Sequence, residues 1–436
     1  MVRKDCLFTF LVLAALILSA CQPIQPVAPG QEAAPAPATQ GPMPQPHQAR
    51  PDAPPYGVRG PYAVGVRDFV IEPDGDDERQ LTATVWYPAL NPEGAEERIT
   101  YEMGFVPGDT PNFPVYGRAI IDAPPLTADG PYPLVVYTHA HWTFRQEVPY
   151  LVENLASHGF VVISADHEDN WSTLFGPKPW QSEFRRPDEV RRELDFAETL
   201  TAPDGSLAGL IDLDHTAVAG WSFGGETALV AGGARLDLAS FRTWCEANTV
   251  DGEMPHADCV DILDHEAGIA ALAGLAAVPQ GLWPDWSDAR LDAVVALAPA
   301  VHAVGAMGVE TVDVPTLLVI GSGDTDVGPA YFLAQPYQHM ATERRAEVVI
   351  ENAEHLLFFD DCSAAPDLIG TGFHVFCSDP VWDMNRAHDL VNHFATAFLL
   401  AELKGDAEAA AALAPENVTF PGIQYETTGY GAAAVP

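Results

Sequence analysis

Apolar positions fall along this chain in short unbroken runs, separated by stretches with helical spacing. PLVVYTH (133–139), FVVISAD (160–166), TAVAGWS (216–222), DAVVALAP (292–299), TLLVIGSGD (316–324) and AEVVIENAEH (346–355) are nearly continuous. Strands buried on both faces look like this. AVGVRDFVIE (63–72) and QLTATVWYPAL (80–90) alternate instead, as strands of an antiparallel pair do. Between the first two continuous runs, Val148, Leu151, Val152 and Leu155 lie at helical spacing, and Gly159 ends the helix. Val190, Leu194, Ala197 and Leu200 make a second helical face. Leu390, Val391, Phe394, Ala397 and Phe398 make a third, stopped at Gly405. Eight strands alternating with helices predict an α/β fold, a mostly parallel sheet with helices on both faces. Two stretches break the alternation. Residues 91–132 form a Pro- and Gly-rich connection. Residues 236–290, with Cys245, Cys259, Trp244, Trp283 and Trp286, read as a small cap insertion whose tryptophans pack rather than touch a ligand.

The pattern delimits a folded domain over 61–415, followed by a tail, 416–436. Its other end is different in kind. MVRKD is a short basic start, and CLFTFLVLAALILSA is an apolar run too short to span a membrane and suited to a signal peptide. The run closes on Leu18-Ser19-Ala20-Cys21, which resembles the bacterial lipobox. That resemblance implies a lipoprotein signal over 1–20 and a lipid on Cys21. The Pro-, Ala- and Gln-rich stretch from 21 to 60 cannot pack a core and reads as a semi-rigid tether. The expected location is an exported, membrane-anchored lipoprotein on the cell surface or periplasmic side of a bacterium. Ordinary signal cleavage near Ala20 is the plainer alternative.

The formal charge of −40 and the three lysines (Lys4, Lys178, Lys404) argue against nucleic acid, anionic substrates and anionic membranes. With Cys21 set aside for lipid, the four cysteines beyond it are Cys245, Cys259, Cys362 and Cys377, an even set suited to disulfides in an exported protein. Sequence proximity favours Cys245 with Cys259 and Cys362 with Cys377. No CxxC pair suggests a metal.

The chemistry centres on GWSFGG, 220–225. A buried strand enters a helix through one tight turn, with Ser222 between Gly220 and Gly224. A serine there projects its hydroxyl above the sheet on a strained backbone, and its neighbours must lack side chains. The Phe223 N–H, at the helix start, can bind a developing oxyanion. A serine needs a base, and the base an orienting acid, in the order Ser, Asp or Glu, His. GSGDTD offers Asp324 just past one strand, with Asp326 as its rival. ENAEH offers His355 past the next. The second oxyanion donor should be a backbone N–H in THAHWTF, at His141 or else Trp142. His139, His141 and His167 could also be read as metal ligands, but spacing alone rarely makes a site. No cofactor and no metal are expected.

PLVVYTHAHW, ENLASHGFVVISADH, VAGWSFGGETA, VPTLLVIGSGDTD and AEHLLFFDDC together resemble the α/β-hydrolases that include platelet-activating-factor acetylhydrolases, dienelactone-hydrolase-like esterases and cutinase-like polyester hydrolases. The resemblance runs in order over about 62–404. It implies Ser222 as nucleophile, Asp324 as acid, His355 as base, Phe223 and His141 as oxyanion donors, and ester hydrolysis without a cofactor. The chain departs from the family at Ala140, where glycine is usual, and at Ala300, where polyester hydrolases tend to carry an aromatic clamp.

The expected function is a serine carboxylic-ester hydrolase acting through an acyl-enzyme on neutral, short-to-medium-chain, small-molecule or lipid-like esters. GWSFGG also resembles the GWSYGG of prolyl-oligopeptidase-like serine peptidases. A non-catalytic surface-binding lipoprotein is a third reading, opposed by the intact Ser, Asp and His set.

Overall fold

A computed structural model describes residues 50–73, 75, 79–103, 113–167, 179–249, 258–370 and 372–431. The signal segment, Cys21 and most of the tether lie outside the described residues.

Twelve strands are described, and ten of them form one sheet. In chain order they are β1 (Ala63–Ile71), β2 (Leu81–Ala89), β3 (Ile99–Met103), β4 (Phe113–Gly117), β5 (Ile120–Ile121), β6 (Tyr132–Thr138), β7 (Val161–Ala165), β8 (Ile211–Trp221), β9 (Leu291–Leu297), β10 (Thr316–Gly321), β11 (Arg345–Ile350) and β12 (Ile423–Thr428). The sheet runs β12-β11-β10-β9-β8-β6-β7-β2-β1-β5. The stretch from β7 to β11 is parallel throughout. β1 and β2 pair antiparallel, as their alternation predicts.

The continuous apolar runs are the central strands because both of their faces are covered. Leu134, Val135, Val136, Val294, Val295, Leu317, Leu318 and Val319 have no exposed surface. Each such side chain contributes about 1.5–3 kcal/mol over an exposed one. The helices fall where the spacing puts them, at Pro149–Ser157, Ser182–Thr201 and Met384–Lys404. Gly405, at φ 62°, donates its N–H to the Leu400 carbonyl and stops the last of these.

Three features differ from the sequence reading. The sheet has two strands beyond the expected eight, both at edges. β5 is only two residues long. β12 lies in the stretch expected to be a tail, paired antiparallel to β11. It alternates half-buried and exposed residues, with Tyr425 stacked 5.5 Å from Phe394 of the last long helix. The connection over 91–132 carries β3 and β4, a separate two-stranded sheet. A buried hydrogen-bond chain ties it inward: Trp86 Nε1 donates to the Tyr101 hydroxyl at 2.8 Å, and that hydroxyl donates to Glu153 at 2.7 Å.

The insertion over 236–290 has helices at Leu238–Asn248, Asp258–Asp261 and Glu266–Leu272. A disulfide joins Cys245 to Cys259, and another joins Cys362 to Cys377, the pairing that proximity favours. Trp283 is fully buried and meets Trp286 edge to face, and Trp286 meets Phe184 of the helix Ser182–Thr201 in the same way.

Candidate active site

β8 carries its apolar run straight to Trp221, and the helix Phe223–Ala231 begins one residue after Ser222. Nothing separates strand from helix but the serine itself. Ser222 sits at φ 59°, ψ −121°. A non-glycine residue there is strained, and the surroundings hold it. Its N–H donates to the Leu297 carbonyl at the end of β9, and its own carbonyl accepts from the N–H groups of Glu226 and Ala300. The flanking glycines are steric necessities: a Cβ on Gly224 would overlap the Thr138 carbonyl oxygen, and one on Gly220 the Gly224 carbonyl oxygen.

The loops after β10 and β11 bring Asp324 and His355 to this turn. The Ser222 hydroxyl lies 2.9 Å from His355 Nε2, and His355 Nδ1 lies 2.7 Å from Asp324 Oδ2. Asp324 Oδ1 accepts the backbone N–H groups of Asp326 and Val327 at 2.9 and 3.0 Å, so the carboxylate cannot turn away. An ionised Asp324 requires the proton on Nδ1, which leaves the Nε2 lone pair facing the serine O–H. Asp326, the sequence rival, reaches the other nitrogen: its Oδ2 lies 3.8 Å from Nε2, on a side chain 55% exposed. Ser222, His355 and Asp324 are therefore the three brought into one hydrogen-bonded chain.

Phe223 opens the helix, where the first N–H groups have no partner within it. The loop after β6 returns beside it, with the His141 and Phe223 rings 5.6 Å apart. Trp142 follows at φ 65° with its indole 57% exposed. Ala140, in place of the usual glycine, is buried and donates its N–H to Glu147 Oε1 at 2.9 Å.

Beneath this loop lies a block of buried polar groups that the sequence reading does not identify. The Arg186 guanidinium donates to Thr138 Oγ1 at 2.9 Å and to the His139 carbonyl, and lies 4.9 Å over the Phe223 ring. Glu147 accepts from the Tyr137 hydroxyl as well as from Ala140. Burial pushes its carboxyl up to about 7. His139 Nδ1 donates to the Ala140 carbonyl, and its Nε2 accepts the His167 N–H at 3.1 Å. His167 bridges Thr138 Oγ1 at 2.7 Å and Glu189 at 2.8 Å. Burial, then the Arg186 charge, holds both imidazoles well below the usual histidine range. Their ring nitrogens are engaged by protein groups, and His141 stands apart from them beside Phe223, so the three do not form a ligand set. The missed signal is phase: Arg186 and Glu193 fall on the helical stripe of Val190, Leu194 and Ala197, and both are fully buried.

Two comparisons show what the chain is similar to. The model of the family "Platelet-activating factor acetylhydrolase, isoform II" matches residues 115–183, from β4 through the loop after β6 to the start of the second long helix. A ferulic acid esterase from Streptomyces cinnamoneus has a similar structure, with a TM-score of 0.53 and 18% identity over 84% of this chain and 97% of its own. No curated protein matches the sequence. The fold is that of the α/β-hydrolases.

Proposed function

We propose, from an α/β-hydrolase chain similar to the platelet-activating-factor acetylhydrolases, a serine carboxylic-ester hydrolase that works through an acyl-enzyme. The observation that carries the reading is the hydrogen-bonded order Ser222, His355, Asp324 at a strained strand-to-helix turn. Ser222 Oγ attacks the ester carbonyl as His355 Nε2 takes its proton. Asp324 keeps the imidazole in the right tautomer and stabilises the imidazolium. The N–H groups of Phe223 and His141 bind the oxyanion. His355 then returns the proton to the leaving alkoxide. Water, deprotonated by the same nitrogen, releases the acid.

The acidic surface and a site with Asp326 at its edge favour neutral esters, and the similarity to the acetylhydrolases supports acyl chains of short to medium length. Ala300, whose N–H donates to the Ser222 carbonyl, leaves no aromatic platform at that position, which weighs against polymer chains. Cys21 is proposed to carry the lipid that anchors the exported enzyme, with the residues from 22 up to 49 as its tether; residues 50–60, expected to belong to it, pack on the domain instead, with Pro54 and Gly57 buried and the Tyr56 ring 5.7 Å from that of His393. Incorporation of a labelled fatty acid into wild type but not Cys21→Ala is the expected result for the anchor.

The test of the reaction is turnover of p-nitrophenyl esters from acetate to palmitate, with Ser222→Ala alongside. Serine-dependent turnover that peaks at the shorter chains is expected. Equal activity in both proteins would remove Ser222 from the reaction. Cleavage of matched peptide amides but not esters would replace esterase with peptidase.

A further inference from the structure

A cavity of about 370 Å³ lies away from Ser222, between the loop that follows His355 and the helix Met384–Lys404. Asp360, Asp361, His388 and Asn392 line it. The two aspartates are 2% and 4% exposed, and His388 is 4% exposed. One donor atom from each of these three lies within 4.8 Å of the others. An ion bound at about 2.1 Å from each would need roughly an ångström of side-chain adjustment to draw them in.

Three further features point to a bound ion. His388 Nε2 lies 3.0 Å from the Leu357 carbonyl, so it donates there and the ring's lone pair is on Nδ1. Metal-ligating histidines are commonly fixed by their second nitrogen in this way. Tyr150 stacks on the ring at 3.8 Å, nearly parallel to it, and holds its plane. Asn392, one helical turn beyond His388, is 6% exposed, and its Oδ1 is buried with no hydrogen-bond partner among the described residues. An amide oxygen left so in a polar cavity loses its hydration without compensation, and a cation restores it.

We infer that this cavity binds a divalent first-row transition cation, through the Asp360 and Asp361 carboxylates, His388 Nδ1 and Asn392 Oδ1. A set of oxygens with one imidazole suits zinc better than calcium, which takes oxygens alone. The ion would fasten the loop carrying His355 to the last long helix, next to the Cys362–Cys377 disulfide. It takes no part in the Ser222 chemistry and does not depend on it.

The experiment uses the full chain without a histidine tag, stripped with chelator and titrated with zinc chloride against a chromophoric competitor. One saturable equivalent is expected, with a rise in Tm that chelator reverses. Asp361→Asn and His388→Gln should each weaken binding at least tenfold and lose the Tm response. Surface His215→Gln should match wild type. Should the first two variants fail to fold, Asn392→Ala gives the same readout with a smaller packing change. Absence of saturable binding, or equal affinity in wild type and the cavity variants, overturns the site.

Discussion

In the chain Asp324–His355–Ser222, a carboxylate holds Nδ1 at 2.7 Å and Nε2 faces a hydroxyl at 2.9 Å. In the chain Glu189–His167–Thr138, the same three groups stand at 2.8 and 2.7 Å in the same order. The two differ in everything else. Thr138 ends an ordinary parallel strand, has no exposed surface, and already accepts from Arg186. Ser222 sits on a strained turn at the carboxyl end of the central strand β8, and its hydroxyl meets His355 Nε2 at 2.9 Å. Arg186 also stands against a charged His167, whose pKa burial and that guanidinium depress. At His355 the charged neighbours are Asp324 and Asp326, which suit a transient imidazolium. A carboxylate–imidazole–hydroxyl chain is thus not a catalyst by distance. Access, strain and the sign of the neighbouring charge are what single out the Ser222 chain for the proposed reaction.

The sharpest way to break this contrast is to remove each hydroxyl. Ser222→Ala should lower kcat for a short-chain ester by at least about 10⁴-fold, since members of such a relay fail together. Thr138→Val should keep kcat within about tenfold and lower Tm instead, because it strips an acceptor from Arg186 and a donor from His167 Nε2. Initial rates and thermal unfolding on the same preparations separate the two. A folded Thr138→Val protein as inactive as Ser222→Ala would mean that the buried chain takes part in the reaction.

Removing the charge beneath the loop is expected to cost next most. Arg186→Met leaves Glu189 and Glu193 without the guanidinium that opposes them. Truncating one partner of a buried charge group costs about 3–5 kcal/mol, readable by urea unfolding. The same variant frees the His139 carbonyl and the Phe223 ring, so a fall in kcat with little change in KM should accompany it. Unchanged unfolding would show that the block is not held by its charge balance.

Glu147 tests the block by pH. Its folded pKa of about 7 lies above the ordinary 4.5, so the folded protein holds a proton that the unfolded chain has released. That stabilisation is full below about pH 4.5 and is lost as pH rises through 7. His139 and His167 act in the opposite sense: their depressed pKa values favour the fold above about 6.5, and that share is lost as pH falls. Glu147→Gln keeps the acceptor for Tyr137 and Ala140 and removes one titration. Its unfolding free energy should gain on wild type between pH 5 and pH 8. A constant difference across that range would place the carboxyl in one protonation state throughout.

The order of these elements explains what the sequence reveals. The parallel strands are legible because burial on both faces makes them continuously apolar, as in PLVVYTH and TLLVIGSGD. The turn at Ser222 is legible because close backbone approach admits only glycine on either side. β12 is not, since GIQYETTGY alternates weakly at an edge covered by one helix. The buried block is harder still. QSEFRRPDEVRRELDF reads as a solvated helix by its charge, and only phase with Val190 and Leu194 places Arg186 inside. Which charges compensate one another across β6, β7 and that helix is a tertiary fact with no local signature.

The smallest effect is expected at the carboxylate that two residues of sequence cannot separate from Asp324. Asp326 Oδ2 is 3.8 Å from Nε2, the nitrogen that must meet the serine and the substrate, and the side chain is 55% exposed. At that distance and exposure the pair is screened by water and salt and is worth about 0–1 kcal/mol. Asp326→Asn should therefore change kcat/KM by less than about fivefold, and raising the salt should shrink even that. Asp324→Asn should cost about 10⁴-fold, because an amide presents the wrong group to Nδ1 and flips the tautomer. The double variant should resemble Asp324→Asn alone. A large loss in Asp326→Asn would mean that the ring turns during the reaction so that Asp326 becomes its orienting acid, and the resting hydrogen bonds would no longer be the working ones.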